Sequence, residues 1–237
     1  MSEPYEPDNL LDRHSDPATL QVHYDQEHRR ERALLERGLG FDAGEVLSVG
    51  CGWHPGRHLF PRPAWRMTGA DMNPAMVEHL LEAGELDSGA EARAGELPFE
   101  PGSFDVVLYR LVLHHIAFQG PLSPCFEEAA RLLRPGGALV AIEPGLWHPV
   151  GAGLELANRA GLGTRMHGTP DDVPLSPRLL KREARRVGLE PELHAVTFGW
   201  RRLPAAAQQA LHRLDALGSR PRLAPLGHTL LLIARRG

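Results

Sequence analysis

Between Val46 and Gly56 the chain reads VLSVGCGWHPG, four residues of strand character running into Gly50-Cys51-Gly52. Glycines there let the backbone approach a ligand closely, because no Cβ stands in the way. Asp71 follows Gly50 by 21 positions, close to the spacing at which an acid closing the next strand accepts hydrogen bonds from ribose hydroxyls. The pair reads as a nucleoside-binding feature, with a tight ligand-free strand-to-helix turn as the plain alternative. Dinucleotide phosphates are disfavoured, since the third glycine of GxGxxG falls at Pro55, which has no N–H to offer. Cys51, His54 and His58, with the adjacent His114 and His115, raise metal binding as a further reading. Their spacing matches no conventional zinc site, so no metal is expected from them.

The elements that must position these residues follow from periodicity. Thr19 to Gly38 reads as an amphipathic helix, either continuous or broken near Gln26, with Gly38 as a stop signal. After the first strand, Pro55, Pro61 and Pro63 leave room for at most a turn or two of helix. Met67 to Asp71 is the second strand, and Asn73-Pro74 opens a helix through about Ala83. Glu91 to Arg93 is a short strand and Phe104 to Tyr109 a buried one. Leu111 to Phe118 leads into a helix at Ser123 to Leu133, and Ala138 to Glu143 is the next apolar strand. Such alternation specifies an α/β, doubly wound, mostly parallel sheet, with ligands at the carboxyl ends of its strands. Pro144 to Pro177 is irregular and long enough to serve as a lid or binding segment. Beyond it come a helix from Pro177 to Val187, a strand from Glu190 to Trp200, a helix from Leu203 to Leu217 and a last strand from His228 to Ala234.

A chain of 237 residues suits one α/β domain that folds without disulfides. Its two cysteines, Cys51 and Cys125, are far apart, which fits a reducing, cytoplasmic compartment. No run approaches the roughly 18 apolar residues of a membrane span, and the acidic amino-terminal stretch lacks the apolar core of an export signal, so a soluble protein that is not exported is expected. The net charge is −4. Arginines crowd Ser176 to Gly237, but Lys181 is the only lysine of the chain, so arginine-for-lysine usage explains the basic end better than an anionic partner does.

The ordered series VLSVGCG, GADMNPAM, GELPFEPGSFDVVLYRLVLHHI and EEAARLLRPGGALVAIEP resembles the class I S-adenosylmethionine-dependent methyltransferases, in particular their small-molecule, quinone-biosynthesis-like (type 11) branch. The resemblance covers roughly Glu45 to Pro144 and implies a Rossmann-like, seven-stranded sheet with an antiparallel last strand. It implies S-adenosyl-L-methionine as cofactor and S-adenosyl-L-homocysteine as product. Laid on matching positions, it puts Val49, Gly50, Cys51 and Gly52 along the methionine part, Asp71 on the ribose, Met72 and Met76 near the adenine, Ala94 and Gly95 at the adenine edge, and Leu111 close to the sulfonium. Three departures stand out: Ser48 replaces a usual acid, Trp53-His54-Pro55-Gly56 displaces the usual third glycine, and Arg93 stands where an aspartate often meets the adenine.

Methyl transfer is an in-line displacement that depends chiefly on alignment, so the protein needs little beyond a base for the acceptor's proton. His115 is the preferred base because histidine titrates near neutral pH, with His114, Tyr109, Glu143 and His148 as further candidates; a structural histidine is the competing reading. Residues 1–44 are expected to form a tail and helix over the cofactor site, with Tyr24 available as a cover. Residues 45–237 are expected to form the catalytic domain, with a lid insertion at about 145–177. Tyr109-Arg110-Leu111-Val112 stands where base-modifying enzymes carry Asn-Pro-Pro-Tyr, which argues against nucleic acid. The expected acceptor is a small or moderately apolar metabolite, methylated on oxygen, nitrogen or carbon by a monomer or homodimer. The apolar stretch Leu146 to Leu162 reads as its cover, or else as a dimer surface or core. A cofactor-binding scaffold without catalysis is the second reading of the whole chain.

Overall fold

The computed structural model describes residues 17–162 and 173–237. The amino-terminal tail and the middle of the expected lid therefore lie outside the described residues. Seven strands form one sheet: β1 (Gly44–Val49), β2 (Trp65–Asp71), β3 (Ser88–Glu91), β4 (Phe104–Arg110), β5 (Leu133–Pro144), β6 (Leu189–Thr197) and β7 (Thr229–Arg236). Their spatial order is β3-β2-β1-β4-β5-β7-β6. Neighbours from β3 to β5 run parallel, and β7 is antiparallel to both β5 and β6. Val49 lies opposite Ala70 on one side and Tyr109 on the other. The turns after β1, β2 and β4 therefore leave the sheet at one edge, where the chain order reverses between β1 and β4.

Both faces of the sheet are covered, which is why β1, β4 and β5 are near-continuous apolar runs. On one face, α4 (Ser123–Leu132) and α6 (Pro177–Arg186) bury Cys125, Phe126, Ala129, Leu132, Leu180 and Ala184 against β4, β5 and β7. On the other, α1 (Pro17–Leu39) and α2 (Pro74–Glu82) bury Leu34, Leu35, Leu39, Val77 and Leu80. Two short helices follow strands at the carboxyl edge: α3 (Leu113–Gln119) after β4 and α5 (Pro149–Arg159) after β5. A further helix, α7 (Ala205–Leu214), precedes β7 and runs into a 3-10 turn at Asp215–Leu217.

Where structure and sequence pattern part, polar contacts decide. Helix α1 runs unbroken past Gln26 because its inward stripe carries partnered polar groups, including buried His23 and Glu31, where apolar residues would have signalled continuity. Strand β3 is at Ser88–Glu91 instead of Glu91 to Arg93, with Ser88 opposite Thr68 and their hydroxyls 2.8 Å apart. The proline-rich crossover after β1 forms no helix. Its Leu59 and Phe60 fill the space beneath α1 as a turn, held by Arg57, which donates to the carbonyls of Glu85, Phe60 and Trp65 and to Asp87. The long insertion after β5 is more regular than its sequence suggests. Its base is closed by Leu146 N–H donating to Leu175 O (3.0 Å) and Leu175 N–H to Pro144 O (2.8 Å), and α5 rises from that base. No helix among the described residues is long and apolar enough to cross a membrane.

Candidate active site

The glycine turn is anchored by its own backbone. Gly50 N–H donates to Ala70 O at 2.7 Å, so the chain leaves β1 bound to β2. Gly50 has φ +62°, and a Cβ there would overlap Val112 Cγ2, so both conformation and space require glycine. Gly52, at φ +47°, differs: the nearest atom to a Cβ on it is Gly50 O at 4.0 Å, leaving its outer side open. Asp71 ties the next strand to this turn. Its Oδ2 accepts from Gly52 N–H at 2.9 Å and its Oδ1 from Asn73 N–H at 2.9 Å. Each carboxylate oxygen has two lone pairs, so Asp71 retains capacity for hydroxyl donors. Asp71 O also accepts from Ala92 N–H at 2.9 Å, which brings Arg93, half-buried Ala94 and exposed Gly95 beside the same edge.

Around this cradle large apolar groups remain in solvent: Trp53 is 61%, Met72 56% and Leu111 44% exposed. Met76, on α2, is half-buried. Leu111 has φ +55°, a left-handed backbone that costs a residue with a Cβ on the order of 1 kcal/mol or more. Its cause is local. Leu111 N–H still donates to Ile142 O at 2.8 Å, continuing the ladder with β5, while the next residues must already turn into α3.

Glu143 enforces that turn. Fully buried at the end of β5, it accepts from Val112 N–H at 3.0 Å and Leu113 N–H at 2.8 Å, and its Oε2 lies 2.7 Å from His114 Nδ1. A carboxylate on the first amides of a helix is favourable by charge as well as by hydrogen bonding. His114 is thereby fixed, and half-buried His115 lies tilted beside it, with ring centroids 4.0 Å apart at 40°. Tyr109 lies elsewhere: it is fully buried in the core against α4, and its hydroxyl donates to Cys125 O at 2.8 Å. Burial pushes its ionisation well above the usual phenol range, so it cannot serve as a base at the edge. Cys51 is likewise inert, its thiol pushed up to about 12 by burial and by the neighbouring Asp71. Ser48 is buried within β1, and Arg93 is exposed in an antiparallel bridge with Glu96.

The same edge carries a second group, in which sequence reasoning singled out His148, His23 and Tyr24 but missed Glu27, Thr229 and His228. Glu27 Oε1 accepts from Thr229 Oγ1 at 2.7 Å, and burial together with the Glu31 charge pushes its carboxyl up to about 7. His228, next to Thr229, is pushed down to about 3 by burial and by His148, whose ring stands perpendicular to it at 5.1 Å. His23, buried beside His212 at 3.2 Å, is pushed down to about 4. Tyr24 meets His23 edge-on at 5.7 Å. The available signal was the helical spacing of His23, Glu27 and Glu31 on one face of α1, a stripe of polar groups at positions where apolar residues are ordinary.

Comparison with known proteins agrees with this geometry. A family model described as a methyltransferase domain matches residues 47–141. Demethylmenaquinone methyltransferase of Tropheryma whipplei is 33% identical over 132 residues, covering 54% of this chain and 53% of that protein. Ubiquinone biosynthesis O-methyltransferase of Sodalis glossinidius is 32% identical over 109 residues, 44% of this chain and 43% of the relative. The chain spans about half the length of the curated relatives it matches. Among solved structures, geranyl diphosphate C-methyltransferase of Streptomyces coelicolor shares the fold with a TM-score of 0.63 at 17% identity, covering 98% of this chain and 86% of that one. A possible histamine N-methyltransferase of Thermotoga maritima has a TM-score of 0.60 at 15% identity, with coverages of 93% and 96%. Residues 47–141 therefore match a methyltransferase domain, and the strand order, with its glycine turn bound to Asp71, is a fold shared with solved S-adenosylmethionine-dependent methyltransferases.

Proposed function

We propose that the protein transfers a methyl group from S-adenosyl-L-methionine to a small-molecule acceptor. The observation that carries this reading is the convergence at one sheet edge of the open side of Gly52, the Asp71 carboxylate and left-handed Leu111. The cradle fits the cofactor: an open glycine backbone, an acid with lone pairs to spare and exposed apolar groups awaiting cover. Similar folds have been solved with sinefungin and with S-adenosyl-L-homocysteine. In this reading Val49 to Gly52 line the methionine part, Asp71 takes the ribose hydroxyls, Met72, Met76, Ala94 and Gly95 surround the adenine, and Leu111 packs beside the sulfur. When bound, the cofactor supplies the electrophilic methyl group.

The chain's own part is orientation and proton removal. His115, half-buried and beside the edge, takes the acceptor's proton, and His114, held by Glu143, positions it. Helix α1, which brings Tyr24 and the buried polar group to this edge, covers the site, and α5 with the base of the insertion flanks the acceptor. Leu156 and Leu162 are exposed on or beside α5, with Trp147 at its foot, which supports an apolar portion in the acceptor. The relatives named above act on different acceptor atoms, so the atom methylated here follows from the acceptor itself. Calorimetry with S-adenosyl-L-homocysteine, followed by methyl transfer from labelled cofactor to a panel of phenols, amines and isoprenoids, tests the reading. Folded protein that binds no cofactor would refute it; binding without turnover across the panel would leave a cofactor-binding scaffold.

A further inference from the structure

Between α1 and the turn that carries His58 lies a cluster that the methyl-transfer reading does not use. His28 and Glu31 sit one helical turn apart on α1, and His58 reaches them from the turn that replaces the crossover helix. One ligating atom from each of the three lies within 4.8 Å of the others. His58 Nε2 is 3.3 Å from Glu31 Oε2, and the His28 and His58 ring centroids are 4.2 Å apart. We propose that His28, Glu31 and His58 bind a divalent transition metal of the zinc class.

Three features support the assignment. Two imidazoles and one carboxylate form a borderline-soft donor set, suited to zinc, cobalt or nickel and not to calcium or magnesium, which prefer all-oxygen shells. The Glu31 side chain is only 3% exposed, and a buried carboxylate requires a cation. The His58 side chain is 35% exposed and gives an ion a route from solvent, with a fourth position left for water.

Without metal, Arg110 takes the cation's part. Its Nη2 lies 3.5 Å from Glu31 Oε2 and 3.3 Å from His28 Nε2, donating to the lone pair that a metal would use. Its Nε is buried without a hydrogen-bond partner, so the guanidinium is imperfectly housed. Metal binding is thus an exchange of cations: the ion takes the imidazole and carboxylate lone pairs, and the guanidinium withdraws. The ion then fastens α1 to the 56–60 turn that follows the glycine cradle, while Arg110 adjoins Leu111 in sequence. The site was invisible in the linear pattern because His58 lies 27 positions beyond Glu31, with β1 between them.

The test uses the full chain, calorimetry with zinc(II) and the visible absorption of cobalt(II), independent of any methyl-transfer assay. The expected result is one equivalent of metal bound, with affinity at least tenfold weaker in His28→Ala and in His58→Ala, unchanged in His79→Ala, and tighter in Arg110→Met. Zinc should raise the melting temperature of the native chain and not that of His58→Ala, whose partly exposed position keeps the variant folded. No binding to the native chain, or equal binding in both histidine variants, would overturn the site and leave an ion-pair network centred on Arg110. Weaker binding in Arg110→Met would overturn the exchange.

Discussion

The Asp71 carboxylate accepts the Gly52 N–H at 2.9 Å, so the acid at the end of β2 is built into the glycine turn that follows β1. One side chain therefore shapes the cradle and offers charge to it. A charge-assisted hydrogen bond contributes about 1.5–3 kcal/mol. Asp71→Ala should accordingly weaken S-adenosyl-L-homocysteine binding by roughly 10- to 100-fold while the protein stays folded. Unchanged affinity by calorimetry would remove Asp71 from the site.

The two glycines of the turn should behave differently. Gly50→Ala adds a methyl into Val112 at positive φ and is expected to lower stability by about 1–3 kcal/mol, read as a fall in melting temperature. Gly52→Ala meets no atom closer than 4.0 Å and should cost only its backbone strain, with a larger loss in cofactor affinity than in stability. Equal effects on stability would contradict the distinction.

Leu111 offers a case in which stability and function oppose each other. Its left-handed backbone suits glycine, and its side chain is 44% exposed. Leu111→Gly should leave melting unchanged or raised, because relief of strain offsets the added chain entropy, and should reduce cofactor affinity several-fold. A variant that melts lower and binds as well as the native protein would reverse both assignments.

Two adjacent groups give opposite pH signatures. Burial raises Glu27 from 4.5 to about 7, so the folded protein holds a proton that the unfolded chain has released. Its stabilising contribution is present below pH 4.5 and is lost as pH rises towards 7. His228 is lowered from 6.5 to about 3, so the unfolded chain binds a proton that the folded protein refuses, and stability falls as pH drops below 6.5. Denaturation across this range should show Glu27→Gln relatively more stable at pH 7 than at pH 4.5, and His228→Gln relatively more stable at pH 4.5 than at pH 7. Parallel curves for both variants would refute the burial of these groups.

The open α/β sheet was legible because its signals are local. Apolar strands, Asn73-Pro74 opening α2, and glycines where the chain must turn each report their own position. The insertion was harder to read, since α5 is short and its base closes through backbone bonds between Leu146 and Leu175, which no side-chain pattern announces. Among the base candidates, sequence proximity grouped Tyr109 with His114 and His115. Strand alternation separated them, sending Tyr109 into the core beneath α4.

By itself the sequence determined the methyltransferase-domain match of residues 47–141, the sheet, and the turn and acid of the candidate cofactor site, because these depend on residue types at fixed spacing along one βαβ progression. Tertiary structure alone decided which polar groups meet. Only the docking of α1 on the sheet brings Glu27 to Thr229 and sets Glu31 between His58 and Arg110. Only the end of β5 delivers the Glu143 carboxylate to the amides after Leu111. The physical reason is that burial makes an unpartnered charge costly, so the fold must supply partners from distant segments, and no local pattern encodes which ones they are.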